Sequence, residues 1–375
     1  MIYLDYSANT PVDARVLEQF CAVERRCIGN ANSHHQAGSA AKAEIDAATI
    51  KIASLLGVQP AEIIYTSGAS EANNFALKGL ARLSRHAGRH IISTPLEHSS
   101  VSGTLTALQE QGYEIDLLDV KQDGTVDLEH LKDLLRPDTI CVAITLVDSE
   151  LGVVQPVQEI AAILKAYPHC HLHVDATQAV GKIPVSFEGV DTMSLTAHKF
   201  YGLNGIGLLL KRRNLALEPL IHGGESTTIY RSGTPTVALA SSLALALELA
   251  VEQLPEHAEA VQKANAFLRT ELAKYPKVRI NSPENAIPHI LNLSVQDVKG
   301  TVFQRELNEE GVCVSVKSAC SSDGLPSRAV FAVSRDRRNA LSSWRVSLSH
   351  RTTEEDLRGF LAAFDRCYRG LTETK

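Results

Sequence analysis

Residues 139–147 read T-I-C-V-A-I-T-L-V, a run with no charged residue and no polar–apolar alternation. A strand of that kind has both faces buried, and two-sided burial belongs to parallel sheets covered by helices. The neighbouring chain agrees. Strands are expected at 63–66, 90–93, 115–118 and 171–175, between helical spacings near 39–56, 100–112 and 127–136. This alternation predicts an α/β fold with a mainly parallel sheet flanked by helices.

Two of the strand ends carry chemistry. H-L-H-V-D-A-T-Q-A-V-G-K (171–182) brings a strand to Asp175, and a second apolar run through Met193 and Leu195 leads to Lys199 in L-T-A-H-K-F-Y-G. An acid at a strand end is commonly a cap, and a lone lysine is commonly solvated. The pair also suits pyridoxal phosphate, whose pyridine nitrogen needs a carboxylate to stay protonated and whose aldehyde needs a lysine amine. The surroundings favour the second reading. Gln178 lies three residues past the acid, and Thr196 and His198 precede the lysine. Gly202, Gly205 and Gly207 then allow tight turns beside a ligand.

On D-A-T-Q and H-K-F-Y-G the chain resembles the pyridoxal-phosphate-dependent cysteine desulfurases, within the class V aminotransferases. The resemblance implies a fold-type-I transferase that forms a homodimer. Other motifs follow in order. Y-L-D-Y-S-A-N-T-P (3–11) is similar to the family's N-terminal signature, with Asn9 where threonine is more usual. In G-N-A-N-S-H-H (29–35), Asn30 matches a residue that helps seat the substrate carboxylate, although Ala31 replaces the usual proline. I-I-Y-T-S-G-A-S-E-A-N-N (63–74) runs a strand into a helix start, where free N–H groups and the helix dipole attract phosphate. The resemblance assigns that role to the Ala69 and Ser70 amides and the Ser70 hydroxyl. His98, in T-P-L-E-H-S-S, falls where the family stacks an imidazole on the pyridine ring and moves protons with it.

Three further positions carry substrate or partner roles by resemblance. Arg345, in W-R-V-S-L-S, matches the arginine that grips the substrate carboxylate with two parallel donors. Thr234, in R-S-G-T-P, matches a residue that reaches the phosphate bound by the other subunit. Cys320, among the small polar residues of S-A-C-S-S, has the setting of a reactive thiol. It is similar to the thiol of the long-loop desulfurase branch, which takes sulfur as a persulfide. The implied reaction converts L-cysteine to L-alanine, with the sulfur passed to an acceptor protein. Iron–sulfur scaffolds, tRNA thiolation and DNA phosphorothioation all draw on such enzymes. Other class V activities remain open (a selenocysteine lyase or a β-eliminating lyase), as does a weakened paralogue kept for complex assembly.

Two departures bear on these alternatives. Relatives carry two asparagines where this chain has Asp148 and Ser149, and the first asparagine lies beside the cofactor ring. An ionised Asp148 can only accept hydrogen bonds. It is therefore expected to be protonated, to point away, or to retune the cofactor. The stretch Glu225–Thr228 also departs from the usual pattern before R-S-G-T-P.

The chain divides, on composition, into an N-terminal segment (1–14) packing with the small domain, a large cofactor domain (15–254) and a smaller α+β domain (255–375) carrying the Cys320 loop. A long Ala/Leu-rich helix at 236–253 links the last two, and Pro255 breaks it. A net charge of −6 argues against an intrinsic nucleic-acid surface. No run approaches the length of a membrane span and no signal peptide is apparent, so the cytoplasm is expected. The seven cysteines include no C-x-x-C pair, as suits a reducing compartment. His169, His171 and His173 would share a strand face around Cys170. Zinc sites usually draw ligands from more than one element, so no metal is assigned.

Overall fold

The computed structural model describes residues 1–317 and 325–373. Its main sheet has seven strands, in the order Ile63–Thr66, Gly207–Lys211, Thr192–Thr196, His171–Asp175, Thr139–Thr145, His90–Ser93 and Glu114–Leu117. All run one way except Gly207–Lys211, which is antiparallel to both neighbours. Every residue of Thr139–Thr145 is buried, as its unbroken apolar run requires.

The parallel direction decides where the chemistry collects. The C-terminal ends of Ile63–Thr66, His90–Ser93, Thr139–Thr145, His171–Asp175 and Thr192–Thr196 lie along one edge, where open α/β sheets bind ligands. The register sets Asp175 opposite Ser194.

Helices cover both faces. Helix Val237–Glu252 packs against Ala14–Arg26 and Gln36–Leu56. Its Leu243 and Leu247 are fully buried, and each such leucine contributes roughly 2 kcal/mol of transfer free energy. Ala14–Arg26 was not anticipated, although Val16, Phe20 and Val23 have helical spacing and Val16 and Val23 are buried. Pro255 does not simply break the linking helix. It occupies the first turn of the next one, Leu254–Leu272, where a missing N–H costs nothing.

A second core gathers Leu4, Val261, Leu293, Phe303, Trp344, Phe360 and Phe364. It lies under an antiparallel sheet of Val278–Ile280, Ile290–Val295 and Ser343–Ser347. The short strand Ile2–Tyr3 joins this region by parallel pairing with Val312–Cys313. Arg345, on strand Ser343–Ser347, reaches the edge of the large sheet through its bond to Ser149, beyond strand Thr139–Thr145.

Candidate active site

At the C-terminal edge of the main sheet lies a cavity of ≈ 370 Å³. Its wall includes Ala69, Ser70, His98, Asp175, Gln178, Thr196, His198, Lys199 and Arg345, contributed by four strand ends and the smaller sheet.

Lys199 ends a short turn, Ala197–Lys199, directly after strand Thr192–Thr196. Its Nζ donates to the carbonyls of Ser7 at 2.7 Å and Ala8 at 2.6 Å. The N-terminal segment is stitched to the same turn. Thr10 Oγ1 donates to His198 O at 2.9 Å and accepts from Tyr201 N at 2.8 Å. Tyr201 sits at φ 64°, a left-handed conformation that costs a non-glycine residue on the order of 1–3 kcal/mol. The tight turn is held by these bonds and by the Tyr201 hydroxyl on Ser349 Oγ.

Asp175 closes strand His171–Asp175 and is buried. One carboxylate oxygen accepts from Thr177 N at 2.9 Å, the other from Asn73 Nδ2 at 2.8 Å. Gln178 Nε2 donates to Ser7 O at 2.9 Å, and its Oε1 accepts from the buried Lys182. Burial drives the Lys182 amine well below its ordinary range, with Lys199 and Arg345 pushing the same way. His173 is buried beneath the site with both ring nitrogens bonded, to Thr192 Oγ1 and Asn73 Oδ1.

Gly68 starts helix Ala69–Leu83 at φ 155°, and no side chain caps the helix. A Cβ on Gly207 would stand 2.7 Å from Gly68 Cα and 2.6 Å from Leu195 O, so the turn and the strand approach as only glycine permits. The first-turn amides therefore face the cavity as anion donors. Arg231 and Ser67 both bond Glu71 in that first turn, which places its carboxylate in an ion pair rather than against an incoming anion.

His98 caps the helix Ser99–Gln109, its Nδ1 accepting from Ser100 N at 3.2 Å. Burial lowers its pKa, Lys199 and Arg328 add to this, and Asp175 opposes it. His198 is held down to about 4, chiefly by burial and then by Lys199 and Lys182. Arg345 is 1 % exposed. Its Nη1 donates to Ser149 O at 2.6 Å and its Nη2 to Asp5 Oδ1 at 3.0 Å, while Nε has no partner among the described residues.

Three further expected residues do not line this chain's own cavity. Asp148 does not line the cavity, which Val147 and Ser149 do. Its carboxylate turns back to the Leu151 N–H, and burial with Glu150 nearby raises its pKa to about 7. The expectation that it flanks the ring is corrected: the backbone turn 148–152 claims it. Asn30 is exposed, and its Oδ1 accepts from Asn32 N at 2.9 Å, so within this chain it shapes its own loop. Thr234 is exposed and lines an adjoining recess with Ser67 and Gly205. Cys320 lies outside the described residues.

Sequence reasoning missed Ser7, Ala8, Asn73 and Asp5. The first two act through backbone carbonyls, which leave no mark in a sequence.

The chain belongs to the class V aminotransferase family, whose model matches residues 2–360. It is 38% identical over 370 residues to a protein named Cysteine desulfurase IscS from Dictyoglomus turgidum, covering 97% of this chain and 94% of the relative. A solved structure titled NIFS-LIKE PROTEIN superposes with a TM-score of 0.93 at 36% identity, covering 99% of this chain and 100% of that one. Another, titled SspA in complex with cysteine, gives 0.82 at 32% identity, covering 94% and 100%.

The cavity residues fit pyridoxal phosphate. An uncapped helix start suits its phosphate, Asp175 its pyridine nitrogen, the Lys199 amine its aldehyde and the flat His98 imidazole its face.

Proposed function

We propose that this chain is a pyridoxal-phosphate-dependent cysteine desulfurase that converts L-cysteine to L-alanine and passes the sulfur, as a persulfide of Cys320, to an acceptor protein. The observation that carries this is the convergence of Lys199, Asp175, the Ala69–Ser70 helix start and the Arg345 fork on one cavity.

The cofactor supplies an electron sink and a carbon that takes up the substrate amine. The amides of Ala69 and Ser70 and the Ser70 hydroxyl bind its phosphate, and Asp175 holds a proton at its pyridine nitrogen. Arg345, whose guanidinium lines the cavity, orients the substrate carboxylate. Lys199 Nζ would hold the cofactor aldehyde and, when free, would take the proton at the substrate Cα, with His98 as the second proton carrier. The Cys320 thiolate then attacks the substrate sulfur. An S–S bond forms, the Cβ–S bond breaks with its electron pair left on the carbon skeleton, and that carbon takes up a proton. Thiol plus cysteine gives persulfide plus alanine, so no outside oxidant or reductant is needed.

Thr234 reaches the phosphate of a second copy in this reading, which makes the enzyme a homodimer. The reaction is placed in the cytoplasm, which the six free described cysteines suit. No single described helix is long and apolar enough to cross a membrane. The test is incubation of the full chain with L-cysteine. Alanine formed in step with a persulfide mapped to Cys320 is the expected result; cysteine left intact, or pyruvate in place of alanine, would overturn the reading.

A further inference from the structure

Behind the cavity wall, a closed set of buried hydrogen bonds centres on Asn73, in the second turn of helix Ala69–Leu83. Its Nδ2 donates to Asp175 Oδ2 at 2.8 Å and to Ser100 Oγ at 2.9 Å. Its Oδ1 accepts from His173 Nε2 at 3.0 Å and from Ser194 Oγ at 2.5 Å. Two donors and two acceptor sites are all an amide has, so the group is saturated. Its orientation is also fixed. Rotating the amide would set Oδ1 against the Asp175 carboxylate, acceptor against acceptor.

The direction of these bonds carries outward. Ser100 Oγ accepts a hydrogen bond from Asn73, which leaves its own hydrogen available to His98 Nδ1, 2.9 Å away. The Ser100 N–H points at the same nitrogen. Nδ1 is thereby an acceptor, and the proton of the neutral imidazole rests on Nε2. On the other side His173 gives its Nε2 proton to Asn73, and its Nδ1 takes the Thr192 hydroxyl at 2.9 Å. Burial keeps His173 neutral, with a pKa of about 4.

We infer that Asn73 is a positioning residue for the reaction: one side-chain amide holds the Asp175 carboxylate and, through the Ser100 hydroxyl, sets His98 in its Nε2–H tautomer. What His98 does with that proton rests on the desulfurase reading; the tautomer does not. His98 then meets the cavity as a donor, and must give up its proton before it can accept one.

The test uses the full-length holoenzyme with ¹⁵N-labelled histidine rings, the His98 signals being assigned by their loss in His98→Gln. In the wild type Nδ1 is expected in the acceptor range and Nε2 protonated. In Asn73→Asp the new carboxylate takes the Ser100 hydroxyl proton, so Ser100 Oγ accepts from His98 and the ring proton moves to Nδ1. The variant's kcat is expected to fall roughly 100-fold with little change in KM for L-cysteine. Should that variant not fold beside Asp175, Asn73→Ala frees the Ser100 hydroxyl to accept as well as donate, and a measurable share of the Nδ1–H tautomer appears beside the Nε2–H form that the Ser100 N–H still favours. A protonated Nδ1 in the wild type, or an unchanged single Nε2–H tautomer in either variant, would overturn the inference. An enzyme that makes no alanine from cysteine, yet shows these tautomers, would overturn the desulfurase reading and leave Asn73 as assigned.

Discussion

Asp5 and Arg345, separated by 340 residues in the chain, meet in an ion pair with Nη2 3.0 Å from Oδ1. Asp5 is itself held by the Ser315 hydroxyl at 2.7 Å. The Asp5 carboxylate and the Ser149 carbonyl together fix the guanidinium plane, and Nε has no partner among the described residues. Asp5→Ala strands a buried guanidinium. It should cost roughly 3 kcal/mol of stability, because breaking a buried pair leaves an uncompensated charge. KM for L-cysteine should rise more than kcat falls, and thermal melts with steady-state kinetics check both.

Lys199→Ala removes the amine proposed to hold the cofactor aldehyde. The protein should fold, since the lost bonds to Ser7 and Ala8 are worth only about 1–2 kcal/mol together. It should purify without the visible band of a lysine-bound cofactor and form no alanine. An absorption spectrum decides it; a retained band would place the linkage on another lysine.

Asp148 gives a pH signature. Its folded pKa of about 7 lies above the ordinary carboxyl value, so the folded state binds the proton more tightly than the unfolded chain. The stability tied to that proton is fully present below about pH 4 and is lost as pH rises to about 7. Asp148→Asn mimics the protonated form and keeps an acceptor for the Leu151 N–H. It should exceed the wild type by on the order of 2–4 kcal/mol at about pH 8, and match it near pH 4. Tm measured across that range would show the gap opening; a gap independent of pH would mean that another group titrates.

Cys320→Ser separates a desulfurase from lyases that need no protein thiol. Persulfide and alanine formation should both fall by more than about 100-fold, while cofactor absorbance stays. Full sulfide release by this variant would favour a β-eliminating or selenocysteine lyase.

The main sheet was legible because a strand buried on both faces has an unmistakable composition, as at 139–147, and because the ligand-binding edge follows from strand direction. Asp175 and Lys199 were legible because each closes such a strand. Asn73 was not: within A-N-N-F-A-L it looks like any helix residue, and only the fold sets it between Asp175 and Ser100. The orientation of Asp148 was equally hidden, since it is decided by the turn that follows and not by the residue type.

The pairing of Ile2–Tyr3 with Val312–Cys313 has a bearing on biosynthesis. Residues 2–3 cannot pair until residues 312–313 have been made. Until then Ser7 and Ala8 cannot cage the lysine, so a nascent chain carries an unfinished vitamin seat. Contacts this distant in sequence form slowly, so the segment that lies against Lys199 is among the last parts of the cavity to settle.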